Sequence, residues 1–169
     1  MKILIKEKDI LKKVKEFGKQ LNHDYENSNP ILIGVLKGAF VFMADLLREI
    51  EIPIEVDFLS IHSYDGKKSS GVVRITHDLS LNIEDRAVIL VEDIIDTGRT
   101  INYIMENLKT RKPRSLAICA LLNKKDNRVM NVRLKYVGFE IPNVFVVGYG
   151  LDYSNKYRNL RYIGVADDE

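Results

Sequence analysis

The stretch Val88-Ile89-Leu90-Val91-Glu92-Asp93-Ile94-Ile95-Asp96-Thr97-Gly98-Arg99-Thr100 decides the architecture. Its aliphatic opening reads as a buried strand, because a strand covered on both faces has no wet side to alternate with. The run stops at two carboxylates, a third follows at Asp96, and a Thr-Gly-Arg-Thr turn leads into a helix-periodic segment from about Thr100 to Lys109. Acids at the C-terminal end of a buried strand stand where open α/β sheets hold their ligands. A helix N-terminus beside them attracts anions. The two preferences together suit a phosphorylated sugar.

Strand and helix alternate on both sides of this stretch. Asp9 is read as the cap of a helix whose apolar face is Ile10, Val14, Phe17 and Leu21, closed by the polar run His23 to Pro30. Ile31 to Val35 is a second buried strand, and a turn at Lys37-Gly38 leads into a helix over about Ala39 to Glu49. After Pro53, Ile54 to Leu59 alternates like a strand with one wet face. His62 to Gly71 reads as an exposed, mobile loop, the tip of a long hairpin whose second strand begins at Val72. Further strands are read at Ser115 to Leu122, Val144 to Tyr149 and Tyr162 to Val165. The alternation predicts an α/β protein, a largely parallel sheet covered on both faces.

The bulk properties exclude several classes. With 169 residues, 46% hydrophobic and 30% charged, the chain is expected to form one domain around one core. A net charge of +2 is too small for general nucleic-acid binding by electrostatics. The single cysteine, Cys119, sits in an apolar run and reads as a small core residue. No stretch approaches the ~18 apolar residues of a membrane span, and the N-terminus lacks the apolar region of a signal peptide. These features point to the cytoplasm. The histidines at 23, 62 and 77 are scattered and show no metal-ligand spacing.

An ionised carboxylate accepts hydrogen bonds and donates none. The adjacent Glu92 and Asp93 therefore suit the paired hydroxyls of a ribose or a hydrated divalent cation. Thr97 to Thr100 can turn backbone N–H groups and hydroxyls toward a phosphate, with Gly98 allowing close approach. Asp96, between the two functions, stands where a proton-transferring group could meet the reacting centre. The plainer reading is that these acids are solvated and that Asp96 or Thr100 caps a helix.

The whole string closely resembles the phosphoribosyl-diphosphate binding motif of type I phosphoribosyltransferases, and more narrowly that of their hypoxanthine-guanine branch. Four further elements follow in the family's order over nearly the entire chain: Gly34-Val35-Leu36-Lys37-Gly38-Ala39, Ser63-Tyr64, Lys124, and Val137 to Pro142 with Phe145 to Tyr153. The resemblance implies that family's α/β fold, a mostly parallel central sheet flanked by helices, with a small hood formed by the N- and C-terminal segments. It implies Mg²⁺-dependent purine salvage: transfer of 5-phosphoribosyl from 5-phosphoribosyl 1-diphosphate to N9 of hypoxanthine or guanine, giving IMP or GMP and pyrophosphate. A homodimer or homotetramer is implied, with no membrane or nucleic-acid partner.

Residue by residue, the resemblance gives Glu92 and Asp93 the ribose hydroxyls, and Asp96, Thr97, Gly98, Arg99 and Thr100 the 5′-phosphate. Asp96 would also serve N7 of the purine as general acid/base. Leu36, Lys37, Gly38 and Arg158 would meet pyrophosphate, across a peptide before Lys37 that relatives can hold strained or cis. Ser63 and Tyr64 would belong to a lid closing over the site. Lys124 would donate to O6 of the base, Phe145 would stack on the ring, and the Val146 backbone would read its edge. Asp152 would lie at the purine and, with Glu92 and Asp93, serve Mg²⁺. The chain departs from the family's commoner forms at Asp65, which follows Ser63-Tyr64 in place of glycine, and at Lys125-Asp126, where relatives often carry a proline. Two alternatives share the same motif: a regulatory protein of this fold that binds nucleotides or RNA, and an enzyme with xanthine as its main acceptor.

Overall fold

Strand and helix alternate along the chain as the apolar runs predict. In this computed structural model, which describes residues 1–63 and 73–166, the elements are β1 (Lys2–Ile5), α1 (Glu7–Asp24), β2 (Ile31–Leu36), α2 (Phe40–Arg48), β3 (Glu55–Ser63), β4 (Val73–His77), β5 (Ala87–Ile95), α3 (Arg99–Lys109), β6 (Ser115–Asn123), β7 (Tyr136–Glu140), β8 (Val146–Val147) and β9 (Ile163–Val165). Six strands form the main sheet in the order β4-β3-β2-β5-β6-β7. All neighbours are parallel except β3 and β4, which form the expected hairpin, closed at Ser63 opposite Val73.

The continuous aliphatic character of β5 follows from its central place. Val88 and Leu90 pack on one face with Ile101, Ile104 and Leu108 of α3. Ile89 and Val91 pack on the other with Val14, Phe17 and Leu21 of α1 and Phe42, Met43 and Leu46 of α2. All of these side chains are buried, and each contributes about 1.5–3 kcal/mol relative to an exposed position. Helices therefore cover both faces, and the cut end of the sheet is left for a ligand.

The small hood is a separate antiparallel sheet, β1-β9-β8, with Lys2 opposite Val165 and Val146 opposite Val165 on the other side. It joins the N-terminal segment to the C-terminal one. Among the described residues no helix is long and apolar enough to cross a membrane.

Several expectations are corrected. Lys6, not Asp9, is the N-cap of α1, and Asp9 lies inside the first turn, where its charge opposes the helix dipole's positive end. β3 runs on through His62 and Ser63, read as loop, because both residues pair with β4. The supposed wet face of β3 is not wet at Asp57. That carboxylate is buried and accepts hydrogen bonds from Ser80 N (2.9 Å), Ser80 Oγ (3.1 Å) and Leu81 N (2.8 Å), because the chain after β4 folds over it. The strand read at Val144 to Tyr149 shrinks to Val146–Val147. Gly148 and Tyr149 turn to φ +100° and +52°, outside strand geometry. A Cβ on Gly148 would lie 2.1 Å from Tyr162 O, so only glycine fits. Strands β1 and β7 carried no reading of their own. The expected lid falls largely on residues 64–72, including Tyr64, which lie outside the described residues.

Candidate active site

Two chain reversals at the C-terminal edge of the sheet build the cleft. The first joins β5 to α3. Gly98 takes φ +84° there, and a Cβ on it would crowd Arg128 Cδ and Met130 O at 3.0 Å each. The α3 N-terminus carries no side-chain cap and no acid in its first turn, which leaves its positive end to the cleft. The second reversal joins β2 to α2 through a cis Leu36–Lys37 peptide and Gly38. A Cβ on Gly38 would lie 1.7 Å from Asp93 Oδ2, so the two chain segments touch where Asp93 enters the cleft.

The cleft has two lobes. One, of about 250 Å³, is lined by Leu36, Gly38, Glu92, Asp93, Asp96, Thr97, Gly98 and Thr100. The other, of about 340 Å³, is lined by Lys37, Gly38, Asp93, Asp96, Lys124, Phe145, Val146, Asp152 and Arg158. Gly38, Asp93 and Asp96 belong to both, so the lobes adjoin at these residues. The structure thus brings together nearly every described residue singled out from sequence. Arg99 and Ser63 are the exceptions, since neither lines a lobe. Arg99 begins α3, and its side chain is exposed. Ser63 is the last residue of β3.

Charge is unevenly compensated. Glu92 and Asp93 are both buried. Burial, reinforced by the negative charge of Asp93, pushes the Glu92 carboxyl well above its ordinary range. Burial raises Asp93 as well, against hydrogen bonds that include one from Ile94 N and the positive charge of Arg158. Lys124 is nearly buried, and its ammonium lies 3.1 Å from Oδ2 of the half-exposed Asp96. On the hood side, Arg158 binds Asp152 Oδ1 and the Gly150 carbonyl, each at 2.7 Å. Phe145 is 51% exposed and so is no core residue; its ring meets Tyr153 edge-on at 5.7 Å.

Two buried neighbouring carboxylates whose protonation is favoured by burial form a hard oxygen donor set that a divalent cation would suit. Among the described residues no group of three or more metal-ligating side chains converges, and Asp152 already holds Arg158. Glu92, Asp93 and Asp152 therefore do not form a closed cage. A divalent cation held by these carboxylates would draw the remainder of its shell from water and substrate oxygens, as Mg²⁺ usually does.

Sequence reasoning missed three contributors. Asn127 donates to Asp96 Oδ1. Arg128 donates to Asn123 and seats its stem under Gly98, and its Nε is buried without a partner among the described residues. Tyr149 donates to Asp45 Oδ2 of α2 at 2.6 Å and ties the hood to the body. None has a local signal. The Asn127–Asp96 and Tyr149–Asp45 bonds and the approach of Arg128 to Gly98 join segments far apart in sequence, and the short-range Arg128–Asn123 bond matches no motif.

The arrangement defines a class before it defines a member: an α/β protein with an acidic strand end, an open helix N-terminus and a hooded base-sized lobe. The phosphoribosyl transferase domain family matches residues 2–154, and the chain belongs to that family. Relatives narrow this to the branch that the motifs resemble. The hypoxanthine-guanine phosphoribosyltransferases of Streptococcus pyogenes serotype M3 and Streptococcus thermophilus are 48% and 50% identical over 169 residues, 99% of this chain and 94% of each relative. A hypoxanthine-guanine phosphoribosyltransferase structure from Bacillus anthracis matches with a TM-score of 0.94 at 41% identity, over 99% of both chains. A Staphylococcus aureus hypoxanthine phosphoribosyltransferase structure matches at 0.94 and 44%, over 99% of this chain and 91% of that one. The chain is accordingly a transferase, with the type I fold expected from its motifs.

Proposed function

We propose that this protein moves a 5-phosphoribosyl group from 5-phosphoribosyl 1-diphosphate to N9 of hypoxanthine or guanine, with Mg²⁺, yielding IMP or GMP and pyrophosphate. The observation that carries the reading is that Asp96, Lys124 and Phe145, distant in sequence, line one lobe that adjoins the Gly98 turn. A base and a sugar phosphate can meet there.

On this reading the backbone at Thr97 to Thr100 and the α3 N-terminus receive the 5′-phosphate, with Asp96 beside it. Glu92 and Asp93 receive the ribose hydroxyls. Leu36, Lys37 and Gly38 face the pyrophosphate, joined by Arg158 when its guanidinium turns from Asp152. Breaking the bond at C1 leaves positive charge on the sugar, which the fixed carboxylates beside it favour. Glu92, Asp93 and Asp152 would share in holding Mg²⁺, which supplies charge neutralisation for the leaving pyrophosphate. Phe145 stacks on the base, the Val146 backbone reads its edge and Asp152 lies beside it. Lys124 donates to O6, and Asp96 exchanges a proton with N7. Ser63 and Tyr64 belong to a lid over the reacting sugar. The enzyme works as one domain in the cytoplasm, as a homodimer or homotetramer, with no membrane or nucleic-acid partner.

The test is a panel of hypoxanthine, guanine, xanthine and adenine with the donor and Mg²⁺, read as pyrophosphate release. Release is expected with hypoxanthine or guanine and not with adenine, and Lys124→Ala should lower 6-oxopurine use selectively. Preference for xanthine would change the acceptor. Silence with every base would remove the enzymatic reading of the site in favour of a regulatory one.

A further inference from the structure

The turn that follows β6 is bolted to the Asp96 loop by its backbone. Lys124 N donates to Ile95 O at 2.9 Å, and Val129 N and Met130 N donate to Thr97 O at 2.9 and 3.1 Å. This delivers two side-chain donors to one carboxylate: Lys124 Nζ to Asp96 Oδ2, and the Asn127 amide to Asp96 Oδ1. An ionised carboxylate only accepts, so Asn127 must present its Nδ2 to Asp96 and turn its Oδ1 away. There the Oδ1 accepts from Asn143 Nδ2 at 3.5 Å. Asn143 stands two residues before Phe145. A directed chain of amides thus runs from the base-side segment to the acid.

The two donors have different fates. On the proposed function, Lys124 leaves Asp96 to meet the base oxygen. Asn127 has no such second task, so its amide is the donor that stays. We infer that Asn127 is a positioning residue for the transfer reaction: it fixes the orientation of the Asp96 carboxylate and keeps it an acceptor when Lys124 turns to the base, with Asn143 holding the amide in that sense. Asn127 acts through Asp96 and does not itself touch the base. The inference rests on the proposed function.

The test compares Asn127→Asp, which keeps the shape but replaces the donor with an acceptor, and Asn127→Leu, which removes both polar atoms. Steady-state pyrophosphate release is measured against donor and base concentration, with circular dichroism to check the fold. For a carboxylate displaced or protonated at the reacting centre, kcat is expected to fall about 10²-fold in Asn127→Asp and about 10-fold in Asn127→Leu, with KM for the donor within about twofold of wild type. Asn143→Ala should lower kcat in the wild-type background and add nothing in Asn127→Leu. If Asn127→Asp does not fold, Asn127→Leu carries the comparison. An unchanged kcat in a folded variant, or a loss confined to KM, overturns the inference while the proposed function stands. A wild-type protein without turnover overturns the proposed function instead, and the inference with it.

Discussion

Gly38→Ala is the substitution whose effect can be worked most directly from the structure. Its Cβ would lie 1.7 Å from Asp93 Oδ2 and 2.6 Å from Cγ, so to reach even 3.0 Å the carboxylate oxygen must retreat by about 1.3 Å. Asp93 is not free to swing, since it is buried and its Oδ1 accepts from Ile94 N at 2.8 Å. Nor can Gly38 withdraw toward the hood, because its own carbonyl lies 2.2 Å from where a Cβ on Gly150 would be. The strain therefore falls on a carboxylate proposed to hold the ribose. A misplacement on the order of 1 Å costs about 10²-fold in rate, and overpacking of this kind costs about 1–3 kcal/mol of stability. Pyrophosphate release against donor concentration and urea unfolding read the two effects separately. Gly34→Ala is the control. Its Cβ would meet the Phe58 ring at 3.1 Å, away from the cleft, so it should lower stability and leave kcat/KM of the folded protein unchanged. Activity of Gly38→Ala within about threefold of wild type, with an unchanged unfolding midpoint, would refute the argument that Gly38 exists to admit Asp93.

Two further outcomes test the body of the fold. Asp57→Ala leaves the Ser80 and Leu81 N–H groups without their acceptor. The loss should be about 3 kcal/mol in urea unfolding, with Asp57→Asn recovering part of it; a midpoint unmoved by Asp57→Ala would mean that water replaces the carboxylate freely. Tyr136 and Tyr149 are buried and donate to Asp24 (2.5 Å) and Asp45 (2.6 Å), and burial followed by these carboxylates pushes both phenols above their ordinary value. Above about pH 10 the native state then binds more protons than the unfolded state, so stability is intact below that pH and falls as pH rises past it. Tyr136→Phe and Tyr149→Phe should each flatten the fall, and a wild-type urea midpoint that stays level through that range would contradict the assignment.

What was legible in the sequence is what burial on two faces or one helical stripe imposes. β5 could be read because both its faces are buried, and α1 because Ile10, Val14, Phe17 and Leu21 face one cluster. The start of α1 was misread because a capping side chain is a local preference, and here the chain enters the helix from β1 without one. β7 was not read because it lies at the sheet's edge and holds a glycine. A Cβ on Gly138 would meet Leu121 O at 2.4 Å, so close strand approach dictates a residue that reads as a turn. In the site, the residues carried by contiguous motifs gather in the cleft. Arg99 does not, because helix geometry turns the first residue of α3 outward. Asn127 could not be found, because its contact with Asp96 spans 31 positions and is delivered by a single 3-10 turn, Lys125–Asn127, too short to leave a periodic pattern.

On the proposed function, the Lys124–Asp96 ion pair sets how the site distinguishes bases. The Lys124 side chain is 8% exposed and Asp96 is 45% exposed, so the ammonium depends on its partner far more than the carboxylate does. A nearly buried cation left without an acceptor is strongly destabilising. On the proposed reading, a 6-oxopurine brings a carbonyl that can take the place of Asp96, while the carboxylate, open to solvent and still held by Asn127, tolerates the exchange. Adenine brings an amino group, a donor facing a donor. It must either leave the ion pair unbroken and lose the contact, or break it for nothing. One unsatisfied buried donor costs about 1–3 kcal/mol or more when charged, which is roughly 5- to 150-fold in binding. On that reading the cation's need for a partner accounts for the discrimination. Lys124→Met, which keeps the stem and removes the charge, should therefore let adenine approach the affinity of hypoxanthine. If binding of the two bases to that variant, measured by calorimetry with the donor present, stays as far apart as in the wild type, selection lies in the walls of the lobe and the exchange argument fails.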